Sequence, residues 1–508
     1  MLRLLPVLTG LLLVVSFPRA HQGYLAWVAF VPLIVFVSRS KTALQAFGGG
    51  LLAAAVELFA LLIWIPAVLE NYGGLSAPLA WTAYGLMVLL LACYPAVVCA
   101  ATKRLMITGG NSFLLLLPAL WTLMEYAQTL FPFGGFPWLQ AGYSQAGYLP
   151  IMQMADITGV YGITFLILAA NTTVAFCVLQ RRRIATFLPM LTVFVLIGAC
   201  LRYGDDSLRR WGNMHPGFRA AMLQGNLSAD DADGEIVEKI RSGYPRMADS
   251  IRTNVDLLIL PESPTPIFFQ DDDAYRQTLS RLAARYPLGL VFNNINRGHV
   301  GGETRYFNSA FFMDRNGTLK GIYDKIHLVP FGEYLPLKGL FFFAKTISKD
   351  VGGFSAGGDY RIVDLETHPS NAVICFEAVF PDLVRRFAVK GSRLIINLTN
   401  DAWYGKSAAP YQHLAIARFR AVENRRYLLR AANSGISAVV EPTGRIQAST
   451  GIFQEAVCEG SFAFLEETTF YTRYGDLFVF LCAIISCGSV ILAAIRHHAV
   501  MKRYKEEA

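Results

Sequence analysis

Residues 372–380 read AVICFEAVF, an apolar run that contains a cysteine and, two positions later, a glutamate. A short apolar run rich in β-branched residues indicates a buried strand. Six similar runs occur between residues 204 and 474, and amphipathic helical patterns cover 271–286 and 409–429. The six runs are 220–227, 255–263, 288–296, 309–314, 393–401 and 434–442. Buried strands that alternate with amphipathic helices predict an α/β layered domain.

The chain as a whole is too apolar for an ordinary soluble enzyme. Hydrophobic residues make up 54% of the 508 residues, and the mean hydropathy is +0.39. A membrane-spanning helix needs about 20 apolar residues, and slightly fewer when its flanks reach the interface. Eight segments meet or approach this length: 4–17, 24–38, 44–66, 79–101, 113–130, 160–180, 184–203 and 475–495. We therefore predict an integral membrane protein with eight transmembrane helices.

The distribution of Lys and Arg predicts the orientation of these helices. Loops 39–43, 102–112 and 181–183 and the C-terminal tail are basic, whereas loops 67–78 and 131–159 contain no Lys or Arg. Arg19 alone goes against this pattern. Since basic loops stay in the cytoplasm, both termini are predicted to be cytoplasmic. The predicted domains are residues 1–203 with helices 1–7, a periplasmic domain at 204–474, and helix 8 with a cytoplasmic tail at 475–508.

The net charge of +8 fits this membrane topology, so we expect no nucleic acid partner. Six of the eight cysteines lie in apolar stretches, where cysteine behaves as a small buried hydrophobe. Only Cys375 and Cys458 fall in the polar domain, and their spacing matches no zinc or disulfide framework. One bridge between these two residues remains open. We expect neither a metal nor another cofactor.

Several polar residues follow predicted strands directly. Glu262 lies in LPESPTP, Lys325 and Glu333 lie in YDKIHLVPFGEYLP, and Cys375 and Glu377 lie in ICFE. A fourth stretch, NLTNDAWYGKS, supplies Asn400, Asp401, Trp403 and Tyr404. Groups at the carboxyl ends of strands converge on one crevice in open α/β layers.

A Glu, Lys and Cys set suits acyl transfer without histidine or metal. A carboxylate can take the thiol proton, and the thiolate is the nucleophile. A nearby ammonium lowers the thiol pKa and faces the oxyanion that forms at the attacked carbonyl. The expected intermediate is a thioester.

Each residue also has a purely structural alternative. Cys375 alone could be an inert core residue, Glu262 a helix cap, and Lys325 a solvated surface charge. Glu377 could pair with Arg385 or Arg386. The ordered combination of these residues favours a catalytic role.

The order of Glu, Lys and Cys in PES, YDKIHLVPFGEYLP and ICFE resembles the nitrilase (carbon–nitrogen hydrolase) superfamily, with its αββα sandwich. The membrane helices, GGFPWLQAGYSQ at 134–145 and the long stretch at 400–439 specifically resemble the apolipoprotein N-acyltransferase family. The resemblance implies that Glu262 is the general base, Lys325 stabilises the tetrahedral intermediate and Cys375 carries the acyl group. Glu333 and Glu377 match supporting acids. Phe376 stands where the family often has tyrosine, so only ring packing carries over.

This resemblance also implies substrates and a location. The acyl donor is a phospholipid, typically phosphatidylethanolamine, and the acceptor is the N-terminal amine of a diacylglyceryl-cysteine apolipoprotein, in the last step of lipoprotein maturation. The location is the bacterial inner membrane. Family members often have a tryptophan after QGN, but QGNLSADDADGEI at 224–236 has none. Substrate gating by that residue therefore does not carry over.

Two alternatives stay open. A membrane-tethered amidase could use the same Glu262, Lys325 and Cys375 with water as the acceptor. A transporter is disfavoured because the spans lack inverted repeats and rows of acids. Glu125, an ionisable residue within a predicted span, is a candidate for local hydrogen bonding. The apolar loop at 338–347 is expected to contact the membrane near a lipid entrance.

Overall fold

A computed structural model describes residues 2–179, 187–212, 214–228, 231–263, 265–335 and 353–506. The chain divides into two compact units. The first, here the helical unit, comprises Met1–Ile63, Pro78–Leu208 and Tyr474–Ala508. The second, here the sheet unit, comprises Trp64–Ala77 and Arg209–Arg473.

Most of the described residues of the helical unit are in apolar helices. Five helices in the described part of the chain are long and apolar enough to cross a membrane: Ala43–Leu61, Ala77–Gly109, Val160–Leu179, Phe187–Gly212 and Leu477–Ile495. Two shorter apolar segments are Leu2–Ser16 and Gly23–Arg39, and a further helix is Leu117–Ala127. The last long helix continues to Glu506. The prediction of eight spans therefore stays a prediction for the three short segments.

Buried polar side chains satisfy backbone groups where these helices are interrupted. Helices Ala26–Ala29 and Val31–Arg39 are separated by Phe30. The side chain of Asn171 accepts a hydrogen bond from Phe30 N at 2.9 Å and donates one to Ala26 O at 2.8 Å. An unsatisfied backbone group in hydrocarbon costs several kcal/mol, so this asparagine stabilises the break.

The sheet unit contains twelve described strands. In chain order they are β1 Phe218–Gln224, β2 Leu257–Ile259, β3 Leu290–Val300, β4 Glu303–Met313, β5 Leu319–Asp324, β6 Val363–Leu365, β7 His368–Ile374, β8 Ile395–Thr399, β9 Leu428–Ala432, β10 Ala438–Val440, β11 Ile446–Ser449 and β12 Ala456–Phe462. They form two six-stranded sheets with the orders β12-β1-β2-β3-β4-β5 and β11-β10-β9-β8-β7-β6. All seven apolar runs that predict strands overlap one of them.

The helices of the sheet unit are Ile65–Asn71, Asp233–Glu238, Lys239–Gly243, Tyr244–Asp249, Asp273–Ala283, Cys375–Val379, Pro381–Val389, Asp401–Tyr404, Ala409–Asn424 and Phe470–Tyr474. All but the first and the last lie in the connections between parallel strands. Strands β1, β2 and β3 pair in parallel, as do β7, β8 and β9. Parallel neighbours need a crossover connection, which the intervening helices supply. Leu279 and Met247 from these helices pack with Leu258 and Phe292 of the first sheet in one buried cluster.

Strands of the two sheets contact each other, which produces the predicted layered sandwich. Gln224 at the end of β1 is fully buried and donates hydrogen bonds to Gly451 O and Gln454 O. Its carbonyl accepts the hydroxyls of Ser437 and Thr450. Because every hydrogen-bonding group of this amide is used between the sheets, the residue fixes their spacing.

The predicted helix at 409–429 is wrong at its C-terminal end. The helix ends at Asn424, and Arg425 adopts a left-handed conformation with φ of +50°. This residue turns the chain into β9, which begins at Leu428. Strands β5, β6, β9, β11 and β12 lie outside the seven apolar runs and were not predicted.

Candidate active site

Four of the predicted site residues lie at or within three residues of strand ends. Lys325 follows β5, Cys375 follows β7, and Asn400 follows β8 without an intervening residue. Glu262 lies three residues after β2. The strands bring these residues together from distant parts of the sequence.

A continuous row of hydrogen bonds joins two acids, an amide and the lysine. Lys325 Nζ donates to Glu333 Oε1 at 2.8 Å, and Asn308 Nδ2 donates to the same oxygen at 2.8 Å. Asn308 Nδ2 also donates to Glu262 Oε1 at 2.8 Å. Val329 N donates to Glu333 Oε2 at 2.8 Å. One asparagine thus fixes the spacing between Glu262 and the Lys325–Glu333 ion pair.

The second oxygen of Glu262 is held from another strand. Asn400 N donates to Glu262 Oε2 at 2.9 Å. Asn293 in β3 donates from its side chain to Asn308 Oδ1 at 2.7 Å, which fixes the orientation of the Asn308 amide. Both carboxylate oxygens of Glu262 are therefore engaged, and the side chain is preorganised.

Glu377 holds together the loops of the nucleophile and the lysine. It is fully buried. Its carboxylate accepts four hydrogen bonds, from Tyr323 Oη at 2.7 Å, Ile326 N at 2.8 Å, His327 N at 3.1 Å and Ile374 N at 2.7 Å. Two of these donors follow Lys325 directly and one precedes Cys375 directly. The carboxylate is therefore a fixed link between the backbone beside Lys325 and the backbone beside Cys375.

Cys375 occupies a tight turn between a strand and a short helix. It has φ of +49°, a left-handed conformation that is uncommon for a residue with a side chain. It is 4% exposed and begins the 3₁₀-helix Cys375–Val379. Backbone conformations of this kind cost about 1–3 kcal/mol and persist where surrounding contacts enforce them.

One of those contacts comes from a buried histidine. His413 Nε2 lies 3.2 Å from Cys375 O, and His413 Nδ1 lies 3.1 Å from Arg430 Nη2. Arg430 Nη2 also donates to Asp401 Oδ2 at 2.8 Å, and Thr399 Oγ1 donates to Asp401 Oδ1 at 3.1 Å. With its proton on Nε2, a neutral imidazole donates to Cys375 O and accepts from Arg430 through Nδ1, which also lies 3.1 Å from Asp401 Oδ1 without a proton to share with it. His413 therefore anchors the Cys375 carbonyl.

The pKa values in this network agree with the neutral imidazole. Burial and the neighbouring Arg430 charge lower the pKa of His413. Burial opposes ionisation of Asp401, but Arg430 and His413 together lower the pKa of its carboxyl to about 2. Asp401 is thus an anion paired with Arg430, and His413 carries no charge.

The charges around the Cys375 thiol act in opposite directions on its pKa. Burial and the Glu262 charge raise the pKa of the Cys375 thiol, while Lys325 lowers it. Burial also raises the pKa of Glu262, and Glu333 raises it further against the opposing effect of Lys325. Burial works to lower the pKa of Lys325, but Glu333 and Glu262 outweigh it and raise that pKa. The site therefore contains a thiol, a carboxylate of raised pKa and a permanent ammonium.

Phe376 takes part in the ring packing that the sequence predicts for it. Its ring centroid lies 5.2 Å from Phe380 and 5.9 Å from His327. His327 also packs on Phe380 at 3.9 Å, and burial lowers the pKa of this histidine to about 4. The rings of Phe380 and the neutral His327 thus pack around Phe376.

Three further expectations concern the pairing of Glu377, a cysteine bridge and the apolar loop at 338–347. The alternative pairing of Glu377 with Arg385 or Arg386 is wrong, because both arginines pair with Asp382 at 2.6 and 2.8 Å. All eight cysteines are among the described residues and are free, so Cys375 and Cys458 form no bridge. The loop at 338–347 lies outside the described residues.

Glu125 belongs to the helical unit and makes the local hydrogen bonds expected of it. Its carboxylate accepts Ala141 N at 2.8 Å and Thr164 Oγ1 at 2.7 Å. Each carboxylate oxygen of Glu125 therefore has a hydrogen-bond partner within the helical unit.

The sequence patterns did not predict that Asn308, Asn293, His413 and Arg430 belong to the site. Asn293 and Asn308 lie in neighbouring strands, β3 and β4, and both are buried. A polar residue next to the apolar residues of a strand is a usable signal, because a buried amide needs hydrogen-bond partners. His413 and Arg430 lie in the helix and strand after Asn400, where the sequence gives no sign of their partners.

Comparisons with known proteins match both parts of the chain. A family model described as the apolipoprotein N-acyltransferase N-terminal domain matches residues 9–173, and one described as carbon-nitrogen hydrolase matches residues 219–464. A carbon-nitrogen hydrolase from Helicobacter pylori G27 is 17% identical, with a TM-score of 0.37 over 48% of this chain and 88% of that chain.

Curated relatives are similar over nearly the whole length. An apolipoprotein N-acyltransferase from Geobacter metallireducens is 38% identical over 97% of this chain and 94% of the relative. Another from Chlorobaculum tepidum is 30% identical over 97% of this chain and 96% of the relative. The extent and identity of these matches show that the chain belongs to the apolipoprotein N-acyltransferase family.

Proposed function

We propose that this chain transfers an acyl group from a phospholipid to the N-terminal amine of a diacylglyceryl-cysteine lipoprotein, through a thioester on Cys375. The observation that carries the proposal is the row of Glu262, Asn308, Glu333 and Lys325 beside a buried cysteine in a tight turn. The family of the chain gives this site its reaction class.

In the first half-reaction Glu262 removes the proton of the Cys375 thiol. The thiolate attacks the carbonyl carbon of the lipid ester, and a C–S bond forms. The developing oxyanion faces the Lys325 ammonium, which Glu333 keeps in place. The ester C–O bond then breaks, and the departing lysophospholipid oxygen takes the proton from Glu262.

In the second half-reaction the free amine of the lipoprotein replaces the lipid. The amine attacks the thioester carbon, and Glu262 accepts the proton that the nitrogen loses. The C–S bond breaks as the amide forms, and the thiolate regains its proton from Glu262. Because one thiol serves both substrates in turn, the kinetics are expected to be ping-pong.

The apolar helices of the helical unit would hold this reaction at a membrane, where its lipid substrates reside. Lifting an acyl chain into water costs about 0.8 kcal/mol for each CH₂ group. We propose phosphatidylethanolamine as the donor and the bacterial inner membrane as the location. We also propose eight spans, with residues 1–203 and 475–508 forming the membrane part and 204–474 forming a periplasmic catalytic domain. The five long apolar helices and the positions of the basic loops support this topology.

The acyl-enzyme is the decisive test. Purified protein is mixed with phosphatidylethanolamine of defined chain length, and the peptide that contains Cys375 is analysed by mass spectrometry. We expect a fatty acyl adduct on Cys375 that disappears when a diacylglyceryl peptide is added. Cys375→Ala and Glu262→Gln should form no adduct, and Glu303→Gln, at an exposed glutamate of β4, is the matched control.

The amidase alternative gives the opposite result in the same assay. An amidase would form an adduct from a small amide and release the free acid to water. Adduct formation from acetamide or butyramide, with none from the phospholipid, would overturn the transferase proposal.

The proposed orientation can be tested with a membrane-impermeant maleimide. Arg315→Cys lies in the exposed turn between β4 and β5 and should react in spheroplasts. Lys41→Cys, in an exposed loop between helices, should react only after permeabilisation. Reaction of the two positions in the reverse order would contradict the topology.

A further inference from the structure

The segment Trp64–Ala77, here the strap, connects two apolar helices but belongs to the sheet unit. In sequence it follows helix Ala43–Leu61 and ends where helix Ala77–Gly109 begins. It contains the short helix Ile65–Asn71. The sheet unit is therefore discontinuous in sequence, and its second segment begins only at Arg209.

The strap contacts one particular turn of the sheet unit. The rings of Trp64 and Tyr404 lie 4.8 Å apart at 68°, and those of Tyr72 and Trp403 lie 4.5 Å apart at 82°. Both pairs have the edge-to-face geometry that aromatic rings prefer. Two rings at the ends of the helix Ile65–Asn71 thus hold two consecutive residues of the turn Asp401–Tyr404.

This turn carries groups that define the active site. Its preceding residue, Asn400, donates its backbone N–H to Glu262. Its first residue, Asp401, pairs with Arg430 and so orients His413, which contacts the Cys375 carbonyl.

Tyr404, the last residue of the turn, also lies near the reacting groups. Its ring centroid lies 6.4 Å from that of His413. Burial raises the pKa of Tyr404, and the nearby charges of Cys375, Asp401 and Glu262 raise it further. The residue that Trp64 contacts is therefore within electrostatic range of the base and the nucleophile.

We propose that Trp64 and Tyr72 are positioning residues for acyl transfer, which hold the Asp401–Tyr404 turn in the conformation that places Glu262 and Cys375 for reaction. This inference rests on the proposed function and extends it to a segment outside the continuous catalytic sequence. The acyl-transfer site is complete only when the strap is seated on the turn. A displacement of about 1 Å at a reacting group can lower the rate about 100-fold. Loose packing between the strap and the turn would therefore lower the rate of acyl transfer.

The test compares loss of each ring with its retention in the full-length protein. Trp64→Ala and Tyr72→Ala should each slow formation of the acyl adduct on Cys375 about tenfold. Trp64→Phe and Tyr72→Phe keep a ring and should stay within about twofold of the wild type. Trp81→Ala is the matched control, because Trp81 is an aromatic residue of the helical unit that pairs with Phe59.

A second readout needs no lipid. The rate at which iodoacetamide alkylates Cys375, measured on the isolated peptide, should fall about tenfold in the two Ala variants and stay unchanged in the two Phe variants and in Trp81→Ala. If the wild type forms no acyl adduct, the proposed function fails, but this alkylation pattern still decides the role of the strap. Wild-type alkylation and acylation rates in folded Ala variants would overturn the inference.

A double-mutant cycle separates positioning from general destabilisation. Tyr72→Ala, Trp403→Ala and the double variant are compared by acylation rate and by thermal unfolding. Positioning through this contact predicts that the double variant is no slower than Trp403→Ala alone. If either Ala variant does not fold, Tyr72→Leu and Trp64→Leu replace it and should show the same loss. Fully additive rate losses would overturn the inference.

Discussion

Lys325 and Glu333 form a buried ion pair in which Nζ and Oε1 lie 2.8 Å apart. The lysine side chain is 1% exposed and the glutamate 12%. The same glutamate oxygen accepts Asn308, which also holds Glu262. Glu333 thus fixes the ammonium and the base relative to each other.

Glu333→Gln should therefore damage both stability and rate. The change leaves the Lys325 ammonium buried without its anion, and breaking such a pair costs about 3–5 kcal/mol. We expect the rate of Cys375 acylation to fall about 100-fold because the ammonium is no longer fixed. Acylation is measured by mass spectrometry and stability by thermal unfolding, with Glu303→Gln as the control. Wild-type acylation in the variant would contradict the role of Glu333.

The acylation rate should rise with pH as Glu262 loses its proton. Burial and Glu333 raise the pKa of Glu262 above 4.5, so the midpoint of this rise should lie above pH 4.5. In Glu333→Gln the carboxylate that raises this pKa is absent while Lys325 still lowers it. The midpoint should therefore move to lower pH, although the maximal rate is smaller. A pH profile of single-turnover acylation tests this prediction, and a shift to higher pH would contradict it.

Glu377→Gln should mainly lower stability. The carboxylate accepts hydrogen bonds from four donors, and an amide nitrogen in its place would face a donor instead of accepting from it. Hydrogen bonds to charged groups contribute about 1.5–3 kcal/mol each, so we expect a loss of about 3 kcal/mol. In a domain of this size that lowers the melting temperature by about 5–10 °C. An unchanged melting temperature would show that Glu377 does not link the two loops.

His413→Ala should slow acylation without weakening lipid binding. The variant loses the donor to Cys375 O, so the left-handed turn of the nucleophile is less firmly held. We expect the rate to fall about 10- to 100-fold while KM for the phospholipid changes less than about twofold. His413→Gln can still donate to the carbonyl and should recover part of the rate. Equal rates in both variants and the wild type would remove His413 from the positioning network.

Particular residues show how far the sequence could predict the site. Glu262, Cys375 and Glu377 were predicted because they lie in apolar runs that overlap strands, whereas Lys325 and Glu333 were predicted from the stretch YDKIHLVPFGEYLP. Their partners could not be predicted. Asn308 is 46 residues from Glu262, and His413 is 38 residues from Cys375. Such contacts depend on strand order and register, which a local pattern does not contain.

The fold shows the same limit. The run at 372–380 predicts β7 because its apolar, β-branched residues are buried on both faces. Strand β12 was missed because Glu459, Gly460 and Ser461 interrupt the apolar residues of AVCEGSF, and it pairs with β1 across more than 230 residues of sequence. The helix predicted at 409–429 is too long because Arg425 ends it by adopting a left-handed backbone conformation, which the residue type does not predict.

By itself the sequence determined an apolar, helix-rich part, an α/β domain and a candidate set of Glu, Lys and Cys. These follow from hydrophobic periodicity and from residue chemistry, which are local properties of the chain. Only the tertiary structure decided that Asn308 joins the two acids, that Glu377 links two loops, and that Trp64 and Tyr72 pack on the turn after β8. Those arrangements depend on which distant segments fold against each other, and packing of the whole chain selects them.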